Sequence, residues 1–520
     1  MENHWINAVA EWMEATEAPP IGEKITSAIQ SASPAELQEL VEVVETVATQ
    51  SPDVAARART PLQLAAAHYQ SLVRQGGVAP ELLKLEPAVL RSCYFAFVDE
   101  HPIVAAHALQ MLAAQPDDES LEALADALNT SAPSSWQSTA VGLSPLWNAN
   151  EDHLLDFFHS LGDSLMQASV LSVVLDLAAH AVRSGKLERH PWSERGDQFA
   201  KLLESVTNQL AAFQKDPSKF GDDIDDIQST LGDGVALTVS LCDALGLIGH
   251  PDSVPALEAA MKLTHRRIQT EAAGALTRQG NTAGREHLIA LADDRVARQR
   301  AVAYAEELEC VDLIDEQHRT PVALAESRLA GWLAEPAQFG MAPSGMQLHD
   351  QATLYWPSYE DPQECYLFKF WFNFPAAKVE NIGIAGPVNH AFHSDMRSLP
   401  TDDIYAAFAG WHAEHEDIYQ VPVNLLNPRQ RIEAEALVGR VEATGLETVE
   451  IQALAFFLGD FALVAHAERD GQPLTIVADE QSCLTMPRSS ASSSSATNGL
   501  SPDIVLAIYR GRKLLRSFNG

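Results

Sequence analysis

Histidine and carboxylate side chains gather in two short segments of the C-terminal part of the chain. His390, His393 and Asp395 lie in NHAFHSD, and His412 and His415 lie in WHAEHED. Imidazole nitrogens and carboxylate oxygens are the usual ligands of zinc and of other divalent ions that take mixed nitrogen and oxygen donors. A metal ion held by these residues would activate a water molecule, so the two segments predict a metal-dependent hydrolase site.

The same histidines also have a purely structural interpretation. Residues 401–415 are predicted to form a helix, and the spacing of His412 and His415 then places both on one face, with Glu416 nearby. Histidines are common on amphipathic helices, and no HExxH or other established zinc spacing is present. A P-loop and a GxSxG nucleophile elbow are also absent from the sequence. The main prediction therefore assigns no catalytic residue and no cofactor, and the divalent metal site is kept as the alternative.

The charge of the chain limits its partners. Lysine and arginine total 35 against 71 aspartates and glutamates, which gives a formal net charge of −36. Such a chain repels a phosphate backbone, so we expect no nucleic-acid binding. Two small basic segments, residues 265–267 and 295–300, are the exceptions. They are predicted to lie near inter-helix turns, where they are either solvated or face an acidic partner.

Cysteine usage and hydropathy predict a cytoplasmic protein. The five cysteines are scattered, which argues against a disulfide framework. The N-terminus lacks the basic and apolar regions of a signal peptide, so none is expected. No run reaches the ~20 apolar residues of a spanning helix. The best candidate, residues 451–467, is interrupted by Gly459 and Asp460, so no membrane association is expected.

The N-terminal two thirds of the chain is predicted to be helical. Residues 1–340 are rich in alanine, leucine and glutamate, and their apolar residues recur at steps of three and four. One predicted helix begins near Ser33 and Pro34, where serine suits the cap position and proline suits the first turn. A longer insertion is predicted near residues 186–235, and it includes a helix over residues 199–213 and an acidic run at residues 222–226 that suits a solvated helix start.

A repeated pattern divides this helical region. Residues 101–128, 242–261 and 271–291 each contain an Ala-Leu pair, a turn signal and a second leucine twelve residues after the first. The leucine pairs are Leu109 and Leu121, Leu245 and Leu257, Leu276 and Leu288, and, more faintly, Leu143 and Leu155. In the last two clear copies, Gly249 and Gly280 follow the first helix, at positions that favour glycine. The pattern predicts helical hairpins that bury their apolar faces only against neighbouring hairpins.

These residues resemble HEAT-like repeats, in the short bacterial form with an A-L-G-x-L-G turn followed by a V-x-x-L helix. The best match is ALGLIG at residues 244–249, followed by Val254 and Leu257. The resemblance covers residues 236–310 most closely and residues 90–185 less closely. It implies an α-solenoid. A further possibility is a resemblance to HEAT-like enzymes that act on bound tetrapyrroles or on alkylated DNA. The acidic charge argues against an enzyme that acts on DNA, and no residue supports tetrapyrrole binding.

The C-terminal part is predicted to be an α+β domain over residues 341–520. Residues 364–374 (ECYLFKFWFNF) alternate with a period of two, which predicts a strand with an aromatic face and with Trp371 on the opposite face. Residues 379–385 are predicted to pair with it, and residues 428–444 to form a helix. Hairpins are predicted at residues 461–477 and 504–518, a linker at residues 341–350, and a serine-rich loop near residues 487–502.

These features favour a non-enzymatic scaffold. In this hypothesis, a HEAT-like helical array at residues 1–340 binds a protein partner through polar groups along its helices, without a cofactor. The alternative is a metal-dependent hydrolase that uses His390, His393, Asp395, His412 and His415 in the domain at residues 341–520.

Overall fold

The computed structural model describes residues 4–15, 21–75, 80–115, 117–161, 167–216, 224–375, 377–415, 417–488 and 500–519. The chain divides into two compact units, residues 1–288 and 289–520. The predicted domain boundary at residue 340 stays a prediction, as do the limits of the insertion.

The first unit, which we call the helical unit, is built from short helices with 3₁₀ turns at Pro52–Ala58, Ser144–Asn148, Ser193–Arg195 and Pro251–Ser253. The helices are α1 (His4–Glu14), α2 (Glu23–Gln30), α3 (Pro34–Gln50), α4 (Arg59–Gln75), α5 (Pro80–Leu83), α6 (Pro87–Phe97), α7 (Pro102–Ala114), α8 (Asp118–Thr130), α9 (Trp136–Leu143), α10 (Glu151–Ser160), α11 (Ala168–Arg183), α12 (Gly196–Lys215), α13 (Ile224–Ile248), α14 (Val254–Ala260), α15 (Arg266–Arg278) and α16 (Thr282–Leu291).

Local sequence signals set where these helices begin and end. The Ser33 hydroxyl accepts the Glu36 amide and the Glu36 carboxylate accepts the Ser33 amide, which is the capping box at the predicted start of α3. Gly249 and Gly280 have φ values of +70° and +80°, so the predicted turn glycines occupy left-handed backbone. The predicted helix over residues 199–213 is confirmed within α12.

The helices pack in two rows. In the first row, α4 contacts α7, α7 contacts α9, α9 contacts α11, α11 contacts α13 and α13 contacts α15. In the second row, α1 contacts α3, α3 contacts α6, α6 contacts α8 and α8 contacts α10, while α12 contacts α14. Helices of the two rows pair as hairpins, among them α12 with α13 and α14 with α15.

Four helices of the first row, α7, α11, α13 and α15, contain long buried segments. Residues 104–109 of α7, 169–175 of α11, 237–246 of α13 and 270–276 of α15 are continuously buried. Second-row helices bury one stripe instead, as α3 does with Leu37, Leu40 and Val44. These four first-row helices therefore carry small residues and apolar runs, whereas second-row helices such as α3 are amphipathic.

The repeated leucines are core residues of these hairpins. Leu109, Leu245 and Leu276 in the first row are fully buried, and so are their partners in the three clear copies to within 1%. The fainter fourth pair was only half right, because Leu143 is buried but Leu155 is 43% exposed. In that helix Leu154 faces the core instead.

The most apolar helix is α13. Its segment Thr230–Ile248 has a mean hydropathy of 1.6, is long enough to cross a membrane, and is 56% buried within the protein. Contacts with α11, α12 and α15 account for this composition, as expected for a core helix. The sequence-based expectation that residues 451–467 were the best spanning candidate was wrong, because these residues form two antiparallel strands.

The second unit adds α17 (Arg298–Glu307), 3₁₀ turns at Val311–Leu313 and Glu316–His318, and α18 (Pro321–Ala334) to a mixed region of strands and helices. Its other elements are β1 (Gly345–Leu354), β2 (Gln363–Phe374), β3 (Ala377–Ala385), α19 (Thr401–His412), β4 (Ile418–Pro422), a 3₁₀ turn at Val423–Leu425, α20 (Pro428–Glu442), β5 (Glu447–Phe457), β6 (Asp460–Arg469), β7 (Gln472–Ala478), β8 (Cys483–Pro487) and α21 (Pro502–Asn519).

Two antiparallel sheets, β1-β2-β3 and β4-β5-β6-β7-β8, enclose the helix pair α19 and α21. Helix α18 covers the aromatic face of β2, and α20 covers the outer face of the larger sheet. The predicted partner of β2 is confirmed as β3, and the hairpin between β6 and β7 turns at Asp470 and Gly471, both with positive φ.

Two predictions for this unit need correction. Strand β1 starts at Gly345, inside the predicted linker. The predicted hairpin at residues 504–518 is the single helix α21, which shows that its apolar run was assigned the wrong period. Trp371, on the opposite face of β2, is partly accessible, and the ammonium group of Lys378 lies 4.6 Å from its ring centroid. The predicted serine-rich loop lies largely outside the described residues.

Helices α19 and α21 cross at two glycines with no room for a side chain. A Cβ at Gly410 would overlap the Ala507 carbonyl oxygen, and one at Gly511 would overlap that of Ala406. The contact is reinforced by Arg512, whose Nε and Nη2 donate to the buried Asp403 carboxylate at 2.6 and 2.8 Å. This crossing sets the spacing between the two sheets.

We expect Gly410→Ala to lower the free energy of unfolding by about 3 kcal/mol or more, because backbone on both sides must move. Gly439→Ala is the matched control: it lies in α20 with open space around it, so alanine should be neutral or stabilise by up to about 1 kcal/mol. Urea unfolding of the full chain measures both. Equal effects of the two substitutions would contradict the tight crossing.

Candidate functional site

His390 is packed among aromatic rings. Its backbone amide and carbonyl bond those of Ile384, and its ring stacks on Trp411 with centroids 3.7 Å apart and planes 13° apart. Burial, together with the nearby His393, lowers the pKa of His390 to about 4. The imidazole is therefore neutral at pH 7 and acts as part of an apolar cluster.

His393 and Asp395 are engaged with other partners. The exposed His393 ring stacks on Phe339, with centroids 5.3 Å apart. Asp395 accepts hydrogen bonds from Nε and Nη2 of Arg397 at 2.9 and 2.8 Å, and Arg397 also binds Glu380. The hydrogen bonds from Arg397 hold the pKa of Asp395 below its usual value.

His412 and His415 do not share a helix face, contrary to the prediction. Helix α19 ends at His412, and His415 lies in the following segment. The Trp356 indole donates to His412 Nδ1 at 3.2 Å, while the Asp417 amide donates to His415 Nδ1 at 3.1 Å. The predicted helix over residues 401–415 is three residues too long, so the three-residue spacing of His412 and His415 does not place them on one helix face.

These placements leave the metal hypothesis without support. In the part of the chain that the structure describes, which omits Glu416, no three His, Cys, Asp or Glu side chains gather as a metal ion requires. The hydrolase alternative stays a hypothesis. Elemental analysis tests it, because stoichiometric zinc that is lost on His393→Ala would favour it.

A polar seam runs across the first row of the helical unit. We use this name for Asp176 and Arg183 of α11, Ser240 and Asp243 of α13, and Arg267 and Glu271 of α15. Arg183 donates to the buried Asp243 carboxylate through both terminal nitrogens of its guanidinium group. Nη1 lies 2.5 Å from Oδ2, and Nη2 binds Oδ1. Glu271 is 3% exposed and Asp243 is 8% exposed. Charged groups thus line the junction of three helices that are otherwise apolar.

Asp176 is the most perturbed carboxylate of the seam. Burial raises its pKa to about 6, a hydrogen bond with Ser240 opposes the rise, and the charges of Asp243 and Arg267 act in opposite directions. Each pK unit corresponds to about 1.4 kcal/mol between the two protonation states. Asp176 therefore carries an unfavourable charge at pH 7.

The two predicted basic segments differ in the structure. Arg266 and Arg267 begin α15 and are exposed, so they lie at the edge of the seam. Arg298 is instead buried and donates to Ala292 O at 2.9 Å and to Glu326 at 2.6 Å, while Arg295 pairs with the same Glu326. Residues 295–300 therefore do not form an open basic surface.

A cavity of about 250 Å³ opens between α4, α7 and α9. Its polar lining residues are Arg59, Gln63, His107 and Gln110, and its apolar ones are Ala67, Ile103 and Val141. Gln110 bonds His107 Nδ1 at 3.1 Å, and its amide nitrogen donates to Ser144 Oγ at 3.1 Å. The cavity and the seam both lie along the first row.

Comparison with known proteins confirms the resemblance over one segment. A family model described as HEAT repeats matches residues 237–306, which include about half of α13, all of α14 and α15, and the seam residues Ser240, Asp243, Arg267 and Glu271. No curated protein and no solved structure matches the chain.

Sequence reasoning missed the seam and the cavity. Acidic and basic residues such as Asp176 and Arg183 occur within apolar helices, and that placement was the available signal. The pairing of α11 with α13 joins residues that are 60 positions apart, however, and no local pattern encodes it.

We expect Asp176→Asn to stabilise the protein at pH 7 by up to about 3 kcal/mol, because it removes a carboxylate whose pKa is raised from 3.8 to about 6. The folded state prefers the protonated form, so the cost of charge grows from about pH 4 to pH 6. The stability gained by Asp176→Asn should thus vanish near pH 4.

Asp243→Asn should instead destabilise the protein, because it leaves Arg183 without its buried carboxylate. Urea unfolding between pH 4 and pH 8 measures both variants. A pH-independent gain for Asp176→Asn would contradict the assignment.

Proposed function

We propose that the helical unit is an α-solenoid scaffold that binds a protein partner along its first row of helices. The observation that carries this proposal is the continuous packing from α4 to α15, together with the HEAT-repeat match over residues 237–306. Stacked hairpins of this type supply extended binding surfaces.

The exposed edge of the polar seam, at Arg267, is the part of that surface best suited to specific binding. Buried or half-buried charges are costly unless they are paired and hydrogen-bonded, and Asp176 retains a charge that burial disfavours. Arg267 is exposed at the edge of the same cluster. A partner that places complementary polar groups here would compensate part of that cost.

The remaining properties of the proposal follow from the composition. With a net charge of −36, the partner is a protein rather than a nucleic acid. We place the protein in the cytoplasm, where its free cysteines would stay reduced. Binding needs no cofactor.

We expect Arg267→Glu to abolish partner capture while leaving the fold intact, because it reverses the exposed charge at the seam. Lys201→Glu is the matched control: Lys201 lies on the exposed side of α12 in the second row and pairs with Asp197 four residues earlier. Affinity capture from a lysate of the source organism at physiological salt, followed by quantitative mass spectrometry, compares the two variants with the native chain.

The proposal requires a protein that is captured by the native chain and by Lys201→Glu but lost with Arg267→Glu. Equal recovery with all three chains would place binding elsewhere. The absence of any specific partner with the native chain would overturn the scaffold function.

A further inference from the structure

The second unit repeats one arrangement twice. A helix, an antiparallel meander of strands and a second helix follow one another in residues 321–412, from α18 to α19, and again in residues 428–519, from α20 to α21. In both halves the first helix covers the outer face of the sheet. The second helices meet at their crossing, where each glycine lies against the alanine that precedes the other glycine by four residues. The two halves can therefore be compared strand by strand.

This comparison matches β1 with β5, because each is the first strand after the covering helix. Both strands contain a bulge, and both then continue for five regular residues, 350–354 in β1 and 453–457 in β5. Residues 453–457 pair with β6 on one side and with β4 on the other. Residues 350–354 pair with β2 on one side, and no strand in the described part of the chain pairs with them on the other.

Burial differs between the two strands as expected for an open edge. Four of the five residues 453–457 are buried, whereas none of residues 350–354 is. Ala455 is 2% exposed, but its counterpart Ala352 is partly accessible. Just beyond β1, both backbone groups of Tyr355 bind the Asn519 side-chain amide, at 2.7 and 3.2 Å. The open edge of β1 is therefore the stretch of residues 350–354.

The chain itself leaves this edge uncovered. In the second half, the strand that covers β5 is β4, which lies shortly before α20. In the first half, the corresponding segment before α18 forms two 3₁₀ turns, and its Val311 and Ile314 pack with Ala292 and Val302 instead. An open strand edge presents backbone N–H and C=O groups that can pair with an extended chain.

The charge near the edge indicates what kind of chain would bind. Residues 341–368 contain four carboxylates and neither lysine nor arginine. The four are Asp350, Glu360, Asp361 and Glu364. The exposed Glu364 lies opposite Thr353 and accepts hydrogen bonds from the side chains of Gln351 and Thr353, and no described lysine or arginine pairs with it. Two copies of this edge would place like charges across a strand pair, which is unfavourable, whereas a basic chain is complementary.

We infer that residues 350–354 of β1 bind an extended, basic segment of a partner protein as an added antiparallel strand, in the position that β4 occupies beside β5. Side chains alternate along such a strand. Those beside Gln351 and Thr353 would be lysine or arginine, facing Glu364. Those beside Ala352 and Leu354 would extend the apolar cluster around α19 and α21. The surface lies outside the helical unit, so the inference is independent of the partner proposed above.

The probe is a rhodamine-labelled peptide amide, Gly-Gly-Ile-Lys-Val-Lys-Thr, whose last five residues follow this alternation. Fluorescence anisotropy with the full chain should show saturable binding. Replacing both lysines by glutamate should weaken binding at least tenfold, because the charge beside Glu364 is reversed. The peptide Gly-Gly-Lys-Lys-Ile-Val-Thr has the same composition without the alternation, and it should bind at least fivefold more weakly.

Glu364→Gln should weaken binding of the alternating peptide about threefold, as expected for the loss of an exposed ion pair. Glu468→Gln is the matched control, because Glu468 is an exposed glutamate on a strand of the other sheet. It should leave the affinity unchanged. Thermal unfolding confirms that both variants fold.

Hydrogen exchange measured by mass spectrometry identifies the strand that pairs with the peptide. Amide exchange in residues 345–358 should slow when the alternating peptide binds, and exchange in β5 should not change. Binding without this slowing would overturn the inference, as would equal affinity for the three peptides, unchanged binding by Glu364→Gln, or no saturable binding at millimolar peptide. A dimer in sedimentation velocity, with slow exchange in residues 345–358 before peptide is added, would assign the edge to a second copy and would also overturn it.

Discussion

The helical unit depends on the burial of its first-row helices between neighbours. Helices α7, α11, α13 and α15 each contain six or more consecutive buried residues, so none of them has a full polar face to present to water. An isolated hairpin with such a helix would leave apolar surface exposed. Small residues allow the close approach that this packing needs: a Cβ at Gly246 of α13 would lie 2.9 Å from Ala275 of α15. The same closeness brings seam side chains from three helices together.

The sequence allowed the local part of this organisation to be predicted. Leucines at a spacing of twelve, the turn glycines Gly249 and Gly280, and the cap at Ser33 each have a short-range physical cause, and the structure confirms them. The aromatic strand β2 could also be predicted, because an alternation of side chains with a period of two is distinctive over eleven residues. Four of the five aromatic residues on the face opposite Trp371 are buried, and only the terminal Phe374 is largely exposed.

The incorrect predictions share one cause: the contacts that determine these structures join residues that are far apart in the sequence. Residues 504–518 contain two apolar runs around Gly511, a pattern that predicts a hairpin. Gly511 is instead the point where α21 crosses α19, and only the opposing Ala406 reveals its role. The helix boundary assumed for the histidine site was also wrong: α19 ends at His412, and Trp411 stacks on His390 while the Trp356 indole donates to His412. The seam could not be predicted from the sequence, because Asp243 and Arg183 meet only when α13 packs against α11.

Amide hydrogen exchange in a variant with a truncated core side chain tests most directly whether each helix is stabilised by its neighbours. Leu245→Ala removes a fully buried side chain from α13. If the helices are held by nearest neighbours, amide exchange measured by mass spectrometry should accelerate most in α13, less in α11 and α15, and least in α3 and α4. A uniform acceleration throughout residues 4–288 would show that the region unfolds as one cooperative globule, and it would contradict the stacked-hairpin account.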